Sequence, residues 1–209
     1  MTFKQATTLA IILAVNIAMT SILGVANAHN HEGEKPAMPG INVAALTLPE
    51  ITRGLEAGQF NSQDLTRAYL NRIDTIDRAG PTLNAVIAVN SSAMTLAKKS
   101  DMRRAKGEAL SPLDGVPFLL KDNIESKDRM PTTAGSTALV DNMTGRDSPL
   151  VARLRASGAI ILGKTNLSQW ANFRSSHSVS GWSAVGGLVK NPHVLDRQAC
   201  GSSSGSAAA

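Results

Sequence analysis

The chain is expected to fold as an α/β protein, a mixed or substantially parallel β-sheet flanked by helices, and three observations lead there. Segments with apolar residues at helical spacing alternate along the chain with short aliphatic runs. Capping residues stand ahead of the periodic segments, and Gly or Pro stands behind them. Aromatic residues make up only 3% of a chain that is 43% apolar, so the layers must meet through an aliphatic core.

Residues 1–28 precede this pattern. Lys4 is their only charged side chain, and an apolar run follows with Leu9, Ile11, Ile12, Leu13, Val15, Ile17 and Ile22. Ala26-Asn27-Ala28 closes it as a small-x-small site. This is the order of a secretory signal peptide cut after Ala28. Asn16, Thr20 and Ser21 interrupt the run, which argues against an uncleaved anchor. The expectation is a periplasmic or secreted bacterial protein with no stable membrane anchor after cleavage. Cleavage would leave His29-Asn30-His31 as the N-terminus, a nitrogen set suited to square-planar Cu(II) or Ni(II) in vitro, or simply a polar tail.

Residues 29–46 read as a polar tail and approach segment, and residues 47–209 as the folded part. Thr47 is placed to cap a helix over 48–57, with Pro49 and Glu50 in its first turn. Ser62 is placed to cap the next, along which Leu65, Ala68, Tyr69, Ile73 and Ile76 recur until Gly80-Pro81. Residues 84–89 read as a short buried strand and 91–107 as a charged amphipathic helix. Residues 116–120 form a second buried strand that runs straight to Lys121. A helix over 148–157 is closed by Gly158, a third strand covers 159–162, and a short helix covers 167–173. Residues 174–200 have no clear period, and an irregular stretch of that length inside a domain is usually functional or disordered.

The charge pattern excludes little but points away from nucleic acid. The net charge is +5, and the densest basic stretch, Lys98, Lys99, Arg103, Arg104 and Lys106, is interleaved with Asp101 and Glu108. That is a solvated helix face. Cys200 is the only cysteine, so no internal disulfide can form. No base is evident beside it, and it reads as a small buried residue rather than a nucleophile. His177 and His193 lack a third ligand at metal spacing.

Two places carry possible chemistry. Val116-Pro117-Phe118-Leu119-Leu120 delivers a single lysine, Lys121. A lysine with a pKa of ~10.4 is no base at neutral pH, and burial lowers that value. Taken alone, the segment fits either a buried base or a strand end pairing with Asp122 at the surface. The second place is Cys200-Gly201-Ser202-Ser203-Ser204-Gly205-Ser206, followed by Ala207-Ala208-Ala209. Alone, it fits either a linker or a tight turn entering a helix.

Together these segments resemble the amidase signature family. Gly115-Val116-Pro117-Phe118-Leu119-Leu120-Lys121-Asp122-Asn123 is similar to its lysine segment, and Thr132-Thr133-Ala134-Gly135-Ser136 to the turn that follows. Ala159-Ile160-Ile161-Leu162-Gly163-Lys164-Thr165-Asn166 resembles its next strand, and Cys200 to Ser206 its Gly/Ser core. The four matches occur in order and span about residues 45–209. Trp170-Ala171-Asn172-Phe173-Arg174 and Ser180-Gly181-Trp182-Ser183 resemble the bacterial peptide amidases within the family. Cys200 and Ser204 stand where glycines are commoner.

The resemblance implies hydrolysis of linear amides, peptide C-terminal amides among them, without metal or cofactor. It implies a relay in which an attacking serine is served by a second serine after a cis peptide bond and by a neutral lysine. It places the lysine at Lys121 and the bridging serine at Ser202. Ser203 and Ser206 are expected to cap or brace, and Asp122 and Asn123 to steady the lysine's loop. Trp170, Ala171 and Asn172 line the substrate cleft in this reading, or Trp170 simply packs. The attacking serine and its oxyanion donors fall beyond Ala209, so the chain is expected to hold the N-terminal part of the fold, incomplete on its C-terminal side, and to be inactive alone. The alternatives are a non-catalytic remnant or, against the signal-like N-terminus, the amidotransferase subunit of the same family.

Overall fold

The computed structural model describes residues 41–173 and 175–209; the predicted signal peptide, the His29–His31 tail and most of the approach segment lie outside them. The chain enters through Val43, which is already buried against Ile51, Leu55, Phe60, Leu65 and Val116. Helix α1 (Leu48–Glu56) starts where Thr47 predicts. The Glu50 carboxylate accepts from the backbone N of Thr47 at 2.7 Å and from its hydroxyl at 2.6 Å, which ties down the first turn.

Helix α2 (Ser62–Arg72) is capped by Asn61, whose side chain accepts from Asp64 N at 2.8 Å. Ser62, expected in that role, is instead buried inside the helix and donates to the Gly115 carbonyl at 2.7 Å. A π-helical turn (Ile73–Asp77) continues α2 and ends in the buried carboxylate of Asp77. That carboxylate accepts from Ala85 N and Val86 N at 2.6 and 3.0 Å, so it launches strand β1 (Val86–Val89).

Helix α3 (Ala93–Ala105) then crosses to β2 (Pro117–Lys121). Helix α4 (Pro149–Ala156), capped by Ser148, leads into β3 (Ile160–Thr165). The sheet order is β1-β3-β2, with β3 antiparallel to β1 and parallel to β2. The expected mixed sheet is therefore present. β3 runs three residues past its predicted end, because Gly163, Lys164 and Thr165 keep pairing although two of them are polar.

Ile73, Val86, Ala93, Ala97, Ile160 and Leu162 form the core on one face of this sheet, and Leu120, Met130, Val151 and Ile161 form it on the other. The register shifts between Phe118 and Leu119, where β2 passes Leu162 and Gly163 of β3.

The helix expected over 167–173 is a correction. Only a 3₁₀ turn (Gln169–Asn172) forms, and Trp170 and Ala171 inside it have φ of 50° and 54°. Ser168 N is drawn to Ser202 O and Trp170 N to Ala134 O, and these tertiary bonds override the helical apolar spacing. A two-stranded hairpin, β4 (Trp182–Ser183) with β5 (Gly187–Leu188), orders part of the stretch expected to be irregular. The chain closes on α5 (Ser204–Ala208).

Candidate active site

β2 ends on Lys121, and its Nζ donates to Ser202 Oγ at 2.8 Å. The two residues singled out from opposite halves of the sequence thus meet across the parallel pair and the turn before α5. Burial pushes the Lys121 ammonium below its ordinary lysine value. The Gly201–Ser202 peptide bond is cis.

Two buried polar residues hold Ser202 and the turn around it. Ser168 N donates to the Ser202 carbonyl at 3.0 Å, and Ser168 Oγ accepts from Gly181 N at 2.8 Å. Gly201 lies so close to Ser168 Oγ that a side chain there would collide with it. Asn166 anchors the start of α5: its carbonyl accepts from Gly205 N at 3.0 Å, and its own N donates to Ala85 O at 2.8 Å. The Asn166 amide also donates to Asn84 O and Gly187 O, at 2.9 and 3.2 Å, and accepts from Ser183 Oγ at 2.6 Å. Gly205 passes directly over this junction, with Ala85 O and the Asn166 backbone where a Cβ would sit. Sequence reasoning does not single out Asn166 and Ser168 as site residues. Their only signal is a pair of polar side chains soon after an aliphatic strand.

The remaining serines brace the turn. Ser206 Oγ pairs with Thr165 Oγ1 at 2.7 Å and ties α5 to β3. Ser203 is the N-cap of α5 but makes no side-chain cap bond. Ser204 is wholly buried, and its hydroxyl has no partner among the described residues. Cys200, expected to be buried, is exposed. It has a left-handed φ of 58°, and its backbone N donates to Gln198 Oε1 at 2.8 Å.

Asp122, the residue after Lys121, is buried and steadies the following loop. Its Oδ2 accepts from Thr133 N at 3.1 Å and from the Thr133 hydroxyl. Its Oδ1 lies 3.8 Å from Lys164 Nζ. Burial raises the Asp122 carboxyl above its usual range and lowers the Lys164 ammonium below its own. Asn123, expected to share the steadying role, is exposed.

The three residues predicted to line the cleft divide. Asn172 borders an open groove of about 500 Å³ together with Gln169, Ser178, Val179 and Trp182. Trp170 and Ala171 are not among its lining residues; Trp170 packs edge-on against Phe173, with ring centroids 6.4 Å apart, and Ala171 is exposed. Neither Lys121 nor Ser202 lines this groove.

The chain is similar to known proteins over most of its described length. The native peptide amidase from Stenotrophomonas maltophilia superposes with a TM-score of 0.76 at 48% identity, over 79% of this chain and 34% of that one. An Arabidopsis thaliana protein described as a probable amidase is 44% identical over 168 residues, which is 79% of this chain and 32% of the relative. The glutamyl-tRNA(Gln) amidotransferase of Coxiella burnetii has a component that is 40% identical over 164 residues, 78% of this chain and 32% of that component. The chain thus spans about a third of the length of these relatives. The family model described as Amidase matches residues 64–209, and the chain belongs to the amidase signature family of hydrolases that act on amides.

Proposed function

We propose that the protein hydrolyses peptide C-terminal amides through a Ser–cis-Ser–Lys relay in which Lys121 is the base and Ser202 the bridge. The observation that carries this reading is the 2.8 Å contact between Lys121 Nζ and Ser202 Oγ at a lysine whose ammonium form burial disfavours. A neutral Lys121 takes the proton of Ser202 as Ser202 takes that of the attacking serine. The serine oxygen bonds to the amide carbonyl carbon, the C–N bond breaks, and the proton returns along the same path to the departing ammonia. Water then repeats the sequence to release the carboxylic acid. In this assignment the attacking serine is not among residues 41–209, so these residues alone supply base and bridge but no turnover.

The peptide substrate is supported by the 48% likeness to the peptide amidase and by that enzyme's complex with the competitive inhibitor chymostatin. The amidotransferase reading is weaker: that relative is less similar, and the mostly apolar run of residues 8–23 followed by Ala26-Asn27-Ala28 suits export. Export is part of the proposal. Among the described residues, no helix is long and apolar enough to cross a membrane.

The test joins the 209 residues to the remaining two thirds of a peptide amidase chain and expresses the product with its own leader. Release of ammonia from a peptide amide is expected in the periplasmic fraction, from a mature form that begins at His29. The rate should rise with pH through a midpoint below that of an ordinary lysine, because the deprotonated amine is the active form. Lys121→Arg and Ser202→Ala should each lower kcat by on the order of 10²–10⁴-fold, since arginine does not give up its proton. Ser206→Ala should retain most of the rate. Near-normal turnover by Lys121→Arg would sink the base assignment.

A further inference from the structure

Lys164 is a completely buried lysine in the middle of the sheet. It stands opposite Leu120, whereas Lys121 stands opposite Thr165. Cross-strand partners share a face and neighbours along a strand do not. Lys121 and Thr165 therefore look toward Ser202 and Ser206, and Lys164 looks the other way. There its Nζ donates to Ile124 O at 2.8 Å and to Thr132 Oγ1 at 2.9 Å, with Pro131 O at 3.5 Å and Asp122 Oδ1 at 3.8 Å.

All four oxygens belong to one loop. It begins at Asp122, the residue after Lys121, and returns at Ala134, whose N donates to Asp122 O at 3.2 Å. Ala134 O in turn accepts from Trp170 N at 3.1 Å. An ammonium sealed in this position is costly to desolvate, and an apolar side chain of the same length would fill the space as stably. What an apolar side chain cannot do is hold three oxygens of one loop by hydrogen bonds and a fourth, the Asp122 carboxylate, by charge. We propose that Lys164 is a positioning residue of the relay: by drawing the 122–134 loop onto the back of the sheet, it fixes where the end of β2 delivers Lys121 to Ser202.

This inference rests on the reading of Lys121 as the base, and the experiment separates the two. The full chain is labelled at lysine ε-carbons, Lys121 is assigned through Lys121→Met, and its titration is followed by NMR. Acylation of each lysine by an anhydride at neutral pH is measured in parallel by mass spectrometry. Wild type, Lys164→Met and Thr132→Val are compared, with the exposed lysines as internal reference. In the wild type, Lys121 should titrate below the exposed lysines. Both variants should move it up toward them as the loop slackens and water enters, Lys164→Met the further. Acylation at Lys121 should then fall about tenfold in Lys164→Met, the ratio that one decade of proton affinity gives. Thr132→Val keeps the buried charge, so its shift reports position and not a lost cation. It also carries the test if circular dichroism shows that Lys164→Met does not fold. A wild-type Lys121 that titrates with the exposed lysines overturns both the base and its positioning. A lowered wild-type value that the folded variants leave unchanged overturns the positioning alone.

Discussion

At the residue scale, Lys121 and Ser202 are legible because each sits in a local context that wastes a polar side chain unless it has a use. Lys121 closes an apolar run, and Ser202 stands in a turn between Gly201 and a helix start. Lys164 and Asn166 are not legible in the same way. Their use depends on what packs over the sheet, and no local spacing reveals that. Cys200 misleads for a related reason: a small, apolar-looking residue beside a crowded turn suggests burial, but Cys200 is exposed. Ser204 shows a cost left in place. Its hydroxyl is sealed at the first turn of α5 with no partner among the described residues, and a buried unpaired hydroxyl costs about 1–3 kcal/mol. Ser204→Ala is therefore expected to stabilise the chain by about 1 kcal/mol. Thermal or urea unfolding checks this, and an equal loss would mean that the hydroxyl is satisfied after all.

At the element scale, strands and helices follow from periodicity and caps wherever burial is one-sided, and their ends move by a few residues. The misplacements share a cause. Asn61 displaces Ser62 because Ser62 has a carbonyl of β2's approach to bind, and the 167–173 helix gives way because Ala134 and Ser202 claim its backbone groups. Tertiary partners outrank local propensity when they satisfy the same atoms. The junction between α3 and β2 shows how strongly such a partner can hold. The buried Asp114 carboxylate pairs with Arg103 through Nε at 2.9 Å and Nη2 at 2.5 Å, and it also accepts from Leu110 N at 2.9 Å. Burial opposes its ionisation, but the Arg103 and Leu110 bonds prevail and hold the carboxyl below its usual range. A carboxyl with a lowered folded-state pKa stabilises the fold above its unfolded pKa, and that contribution is lost as pH falls through the lowered value. Asp114→Asn should cost about 2 kcal/mol at neutral pH. The difference from wild type should shrink below the ordinary aspartate range, as pH-dependent unfolding curves would reveal. A constant difference across pH would assign the effect to packing.

At the scale of the whole molecule, the sheet has two edges among the described residues, β1 and β2. Beside it lies a cavity of about 310 Å³ lined by Tyr69, Ile73, Leu119 and Leu162, and Ala208 and Ala209 reach its rim. An apolar hollow of this size next to open strand edges invites association. The 209-residue chain is expected to bind a hydrophobic dye and to self-associate with rising concentration, which light scattering would follow. A dye-silent monomer at high concentration would mean that the hollow closes in solution. The bulge where β2 passes Leu162 and Gly163 has a different reach. Gly163 is pressed against Ala88 O, leaving no room for a side chain, so the offset between the strands is locked from the β1 side. Lysines 121 and 164 are chemically the same group, told apart only by odd and even places in a ladder. Slip β3 by one rung and Lys164 would turn to the face that Lys121 and Ser202 share, leaving its loop without a cation. Which lysine meets Ser202 is thus decided by parity, and a glycine with no side chain keeps the count.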